Sequence, residues 1–201
     1  GISHAEDSPP GRGGHAHAVQ LWIALDEAHR HGPPAFRNYP VLPLIARDAC
    51  RITLLAGSLF GETSPVEVFS PMLGMDVEMQ AAGEIAIPLD PAFEHAVLML
   101  EGTAALDGEV VTPDALAYLE PGQDRIALRS EAPARFVLIG GKPFGEEILL
   151  WWNFVARSQD EMAEAVRDWN EGTRFGEVHG SPSHPLVAPD VSRLRLREAR
   201  S

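Results

Sequence analysis

The chain has 201 residues, 45% of them hydrophobic, enough for one large or two small domains with a real core and too apolar for wholesale disorder. A formal net charge of −13, with no basic stripe, argues against direct nucleic-acid binding, because such a surface repels a phosphate backbone. Cys50 is the only cysteine, which excludes an intrachain disulfide and a cysteine-based zinc site. No apolar run reaches membrane-spanning length and the first residues do not read as a signal peptide, so a cytoplasmic protein without a membrane partner is expected.

Residues 1–18 (GISHAEDSPPGRGGHAHA) are polar and rich in glycine and histidine, and they begin at Gly1 without a methionine. That start reads as a fragment or a processed chain. A strand is expected over residues 20–25 (QLWIAL), then a turn-rich stretch holding His29, His31, Pro33, Pro34 and Pro40. Residues 51–56 (RITLLA) form the next expected strand, and residues 57–65 a loop closed by a proline.

From there the punctuation is regular. Strand-like runs fall at residues 75–80, 84–89, 95–101, 115–119, 125–129 and 135–139, separated by Gly83, Asp90-Pro91, Gly102, Asp107-Gly108, Pro113 and Pro121-Gly122. Short strands at near-regular spacing, with Asp-Gly at a hairpin position, are the signature of a β-sandwich or barrel. Residues 148–155 (ILLWWNFV) are too apolar to stand in solvent and are expected to dock on a sheet. The one strong helix signal begins at Ser158, where Ser158 and Glu161 have the spacing of a capping box. Met162, Ala165, Val166 and Trp169 make its apolar stripe, and Gly172 stops it. Beyond Gly176 the chain reads as loop.

His4 and Glu6 are the sharpest chemical feature. On extended chain, residues i and i+2 point the same way, so one imidazole and one carboxylate can share a divalent metal ion. By pattern alone, two solvated side chains on a terminal loop are the blander reading. His15 and His17 repeat the spacing, and with His4 and Glu6 would make three histidines and a carboxylate within one short segment. His29 and His31 read as a surface loop, and His95 as a hydrogen-bonded core or edge residue of its strand. Trp151 and Trp152 read as packing under the helix rather than as a stacking platform. No nucleophile elbow, P-loop or dinucleotide fingerprint is present.

Five segments together resemble the pirin family: residues 1–9 (GISHAEDSP), 17–25 (HAVQLWIAL), 140–143 (GGKP), 151–158 (WWNFVARS) and 168–178 (DWNEGTRFGEV). The resemblance implies an all-β fold of double-stranded β-helix (cupin) barrels, a bicupin, with a C-terminal helix. It also implies that the first barrel is incomplete here. The corresponding division is residues 1–60 as the remnant of the first barrel with inter-barrel strands, 61–145 as a metal-free second barrel, 146–178 as a closing strand and helix, and 179–201 as a tail. In the family, an H-x-H pair and a later H-x-E pair hold one metal, usually iron. The H-x-E pair maps onto His4 and Glu6, and the H-x-H strand has no counterpart. The mapping counts against His15 and His17 as ligands. In the second barrel only His95 stands where a cupin carries its H-x-H pair.

Two functional classes follow from the resemblance. One is a metal-dependent dioxygenase of the quercetin 2,3-dioxygenase type, acting on a flat aromatic substrate, with His4 and Glu6 as metal ligands and Glu6 also as the catalytic base. Its cofactor would be Fe2+ or another divalent transition metal, bound weakly or not at all by this chain, and its activity impaired. The other is a metal- or redox-sensing regulator that binds a transcription factor or a metabolic enzyme through the acidic surface. In either class, self-association through an exposed first barrel is expected.

Overall fold

The structure is a computed structural model that describes residues 3–6, 11, 13–14, 17–113, 115–181 and 184–197. Its contacts divide the chain into two units, Arg37–Phe144 and the paired segments Gly1–Phe36 and Gly145–Ser201.

The unit Arg37–Phe144 is built from strands β1 (Leu44–Arg47), β2 (Cys50–Ala56), β3 (Ser58–Leu59), β4 (Glu62–Thr63), β5 (Met72–Met79), β6 (Gly83–Pro88), β7 (Glu94–Glu101), β8 (Ala104–Leu106), β9 (Glu109–Val111), β10 (Leu116–Leu119), β11 (Arg125–Ser130) and β12 (Ala134–Gly141). Six form one sheet in the order β1-β2-β5-β12-β7-β10, four form another in the order β6-β11-β8-β9, and β3 pairs with β4. Period-two alternation explains the arrangement. Ile52 and Leu54 on β2, Met75, Val77 and Met79 on β5, Phe136 and Leu138 on β12, and Val97 and Met99 on β7 turn one face of the larger sheet inward. Ile85, Ile87, Ile126 and Leu128 do the same for the smaller sheet, and the two inner faces share one core. Burying a side chain such as Phe136 contributes about 1.5–3 kcal/mol.

The outer face is wet and charged. Arg135 grips Asp76 with two hydrogen bonds across β12 and β5, and Arg51 pairs with Glu78 at 2.6 Å. Asp107-Gly108 closes the β8–β9 hairpin with both residues at positive φ (47° and 96°), the two-residue turn this dipeptide favours. Cys50 is buried, and burial pushes its thiol pKa up, as suits a small core residue.

The barrel starts earlier than the sequence division at residue 60 placed it. β1 pairs with β2, and β2 with β5, so residues 44–56 belong to the larger sheet. The expected strand at residues 20–25 is absent: the segment runs without a ladder partner among the described residues, and Leu21, Trp22 and Ile23 are exposed.

The other unit has its own core. Strands β13 (Leu149–Trp151) and β14 (Phe154–Ala156) form a hairpin against helix α1 (Gln159–Glu171). Leu149, Phe154, Ala156, Met162, Ala165 and Val166 pack there with Ala188 and Val191 from the following loop. The apolar run at residues 148–155 therefore pairs with itself and packs on the helix. Trp152 turns the hairpin at φ 51°, a conformation that favours glycine, while its ring meets Trp169 edge-on at 5.6 Å. The Ser158 side chain accepts the Glu161 backbone N–H at 3.2 Å, and Gly172 ends the helix at φ 68°. Glu161 reaches back one residue further than a capping box requires, accepting the Arg157 N–H at 2.9 Å.

Glu161 also receives Arg30, which ties the turn at residues 26–30 to the helix start, and Arg157 bonds Glu146 at 2.8 Å and the Leu25 carbonyl at 2.5 Å. Among the described residues no helix is long and apolar enough to cross a membrane. The Arg30 hydrogen bond and then the Arg157 N–H hold the Glu161 carboxyl below its ordinary pKa. A depressed carboxylate pKa contributes stability that is complete above the unfolded value, about 4.3, and is lost as pH falls through the folded one. Acid unfolding followed by tryptophan emission should therefore show a stability loss below pH about 4 that Glu161→Gln flattens.

Candidate functional site

His4 and Glu6 lie on a segment outside any strand or helix, and their side chains approach one another. His4 Nε2 and Glu6 Oε1 are 3.6 Å apart, with the side chains 61% and 71% exposed. Two donors each about 2.0–2.2 Å from one ion sit roughly 3–3.5 Å from one another, so this pair can take two positions around a divalent cation with little adjustment. Among the described residues no set of three histidine, cysteine or carboxylate side chains could hold a metal. The donors fit the implied ion in chemistry and spacing, as part of a ligand shell.

The segment is anchored just before His4. The Ser3 hydroxyl donates to the Phe175 carbonyl at 2.9 Å. Phe175 packs on Phe154 and Trp169, each with ring centroids 5.7 Å away, and the Arg174 guanidinium lies 4.9 Å from the Phe175 ring centre. Three segments singled out separately in the sequence, at residues 1–9, 151–158 and 168–178, thus meet at one aromatic cluster. Trp151 and Trp169 donate their indole N–H groups to the carbonyls of Pro189 and Leu186, so both are packing residues as their context suggested. Sequence reasoning missed the anchoring role of Ser3 and Phe175, for which no local signal exists.

The remaining histidines do not join this site. His17 is exposed, and His15 lies outside the described residues. His29 bonds Asp26 and His31 stands 3.7 Å from Glu27, both on an exposed turn, as expected of a surface loop.

His95 departs from expectation. It is 2% exposed, yet neither ring nitrogen has a hydrogen-bond partner among the described residues. It alternates with Val97 and Met99 on the inward face of β7, and is the only histidine of its unit. Burial lowers its pKa, with the Asp90 carboxylate opposing, so the ring is neutral at neutral pH. The ring lies over Gly140, where an added Cβ would fall 2.3 Å from His95 Cδ2. The one available signal was the pair Gly140-Gly141 in an otherwise apolar strand, which marks a close approach.

Two facing antiparallel sheets around one core, and one helix among the described residues, make this a mostly β protein of the cupin class. The chain belongs to the pirin family: residues 74–176 match the pirin C-terminal cupin domain. It is 43% identical over 192 residues to the Pseudomonas aeruginosa protein named "Putative quercetin 2,3-dioxygenase PA1205", covering 95% of this chain and 61% of that one. It is 28% identical over 177 residues to a pirin-like protein of Caulobacter vibrioides, covering 86% of this chain and 60% of the relative. The crystal structure of quercetin 2,3-dioxygenase from Acinetobacter baumannii superposes with a TM-score of 0.83 at 37% identity, over 89% of this chain and 60% of that chain. This chain therefore spans about three fifths of the length of its relatives.

Gly140→Ala should destabilise the protein by about 1–3 kcal/mol in urea unfolding, because the added methyl collides with the His95 ring and also comes 2.9 Å from the Glu94 carbonyl oxygen. The same substitution made in a His95→Ala background should cost less than in the wild type, and equal costs in the two would place the collision elsewhere, at the Glu94 carbonyl.

Proposed function

We propose that this chain is the greater part of a metal-dependent dioxygenase of the quercetin 2,3-dioxygenase type, acting on a flavonol-like aromatic, in which His4 and Glu6 supply two of the metal ligands. The observation that carries the proposal is the 3.6 Å approach of His4 Nε2 and Glu6 Oε1, the two residues that the family resemblance assigns to its H-x-E pair. The names of the Pseudomonas and Acinetobacter proteins support the reaction class. Iron(II), or another divalent transition metal that accepts mixed nitrogen and oxygen donors, suits this pair. Such an ion supplies Lewis acidity toward a substrate oxygen.

The chain's own residues contribute orientation and a base. The Ser3 hydrogen bond to Phe175 fixes the segment's start, so the imidazole and carboxylate are presented together rather than on a free end. Glu6 faces His4 through one carboxylate oxygen, which leaves the other to accept the proton of a substrate hydroxyl.

Both side chains are more than half exposed, so the purified chain should bind Fe2+ or Mn2+ weakly and below one ion per chain. Metal content after dialysis should fall at least about tenfold further in His4→Ala and in Glu6→Ala. Quercetin turnover should track metal content across the three proteins. Unchanged metal uptake in both variants would remove these residues from the site and the proposal with them.

A further inference from the structure

The barrel unit holds a second place where ligand chemistry is prepared, independent of His4 and Glu6. An open groove of about 440 Å³ lies where the β3–β4 turn, the start of β5 and the β6–β7 turn come together, a size within the range of small-molecule sites. Leu59, Phe60, Leu73, Leu89 and Phe93 line one part of it with apolar and aromatic side chains, and Ser58 and Asp90 make the rest polar, Asp90 with a carboxylate. The Asp90 carboxylate accepts the Ala92 N–H at 2.9 Å, which fixes it in the turn before β7.

His95 stands directly behind this wall. Its ring centroid is 6.0 Å from that of Phe93. Across the larger sheet, Leu73, Gly140 and His95 form one row of paired positions, and neighbours in a row share a face. Gly140 has no side chain, so the imidazole extends over it, toward the Leu73 side of the row. The imidazole is thus 2% exposed, without a protein hydrogen-bond partner, and set behind two residues that line the groove. A buried polar group in that state is costly to the fold unless something bonds it, and its persistence asks for a purpose.

We propose that this groove binds a small, uncharged, planar molecule bearing a hydroxyl group, a simple phenol being the chemical type, with the hydroxyl passing Phe93 to hydrogen-bond His95. The class follows from the lining. Phe93 favours a flat ring, Phe60 having the Arg47 guanidinium 4.3 Å from its ring centre, and the apolar side chains favour a neutral one. Asp90 lines the groove and Arg47 does not, so the charge that a ligand meets disfavours an anion. A neutral imidazole offers one donor and one acceptor nitrogen, and a hydroxyl can serve either. The ligand supplies the partner that the folded chain withholds from His95.

The test is a titration of the full chain, carrying 13C-labelled histidine, with phenol, toluene and benzoate as probes, read by NMR at the His95 ring. Phenol should shift the His95 resonances saturably, toluene should bind more weakly, and benzoate should be excluded. His95→Leu should weaken phenol binding about tenfold, the worth of one hydrogen bond, and leave toluene unchanged. Asp90→Asn, which preserves the turn and leaves the core untouched, should admit benzoate. His95 resonances that stay fixed up to the solubility limit of phenol would overturn the proposal in the wild-type protein alone. Equal affinity for phenol and toluene, or benzoate still excluded from Asp90→Asn, would overturn the recognition chemistry.

Discussion

Strand β12 is paired on both sides along nearly its whole length, with β5 from Ala134 to Gly141 and with β7 from Arg135 to Gly141. A strand bonded twice cannot slip by one residue without turning its apolar set outward on two ladders at once. That constraint holds Phe136 and Leu138 in the core and Arg135 outside, where it meets Asp76. It also sets the far end of the strand, where Gly140 lies beneath an imidazole. Core, surface ion pair and imidazole contact are therefore three readings of a single register, and the register shift between Arg135 and Phe136 is confined to the β7 side.

The unit holding α1 depends on different physics. Its hairpin is two short strands, too few to be stable alone, and its buried side chains come from the hairpin, the helix and a following loop. Aromatic edges do much of the joining: Trp152, Phe154, Trp169 and Phe175 lie within 5.5–6.4 Å of one another wherever they pair. Segments far apart in the chain converge on that cluster, so three of the five stretches that carry the family resemblance are brought together there. The Arg30–Glu161 pair extends the same logic by fastening a turn that has no strand or helix of its own.

Much of the barrel was legible because it obeys local rules. The runs at residues 75–80, 84–89, 95–101 and 125–129 lie within or beside β5, β6, β7 and β11, since alternation and turn residues agree there. The same holds for Asp107-Gly108, and for the helix between Ser158 and Gly172. Residues 20–25 failed because apolar composition does not make a strand without a neighbouring ladder. β1 was missed for the converse reason: Leu44 and Ala46 face solvent, and only pairing with β2 marks the segment. His4 and Glu6 could be named from the resemblance, but Ser3 bonding Phe175, 172 residues away, could not be read from either end. The unpartnered state of His95 is equally a product of packing, which no single-sequence pattern encodes.

The division of the chain into two units has a spectroscopic side. All four tryptophans, Trp22, Trp151, Trp152 and Trp169, belong to the unit that contains the helix, and both tyrosines, Tyr39 and Tyr118, belong to the barrel. Light absorbed only by indole thus reports on one unit, and tyrosine emission originates in the other. The protein carries a native pair of optical labels, one chromophore type per structural unit. Whether the two melt together or in sequence can be read from unlabelled, unmutated material.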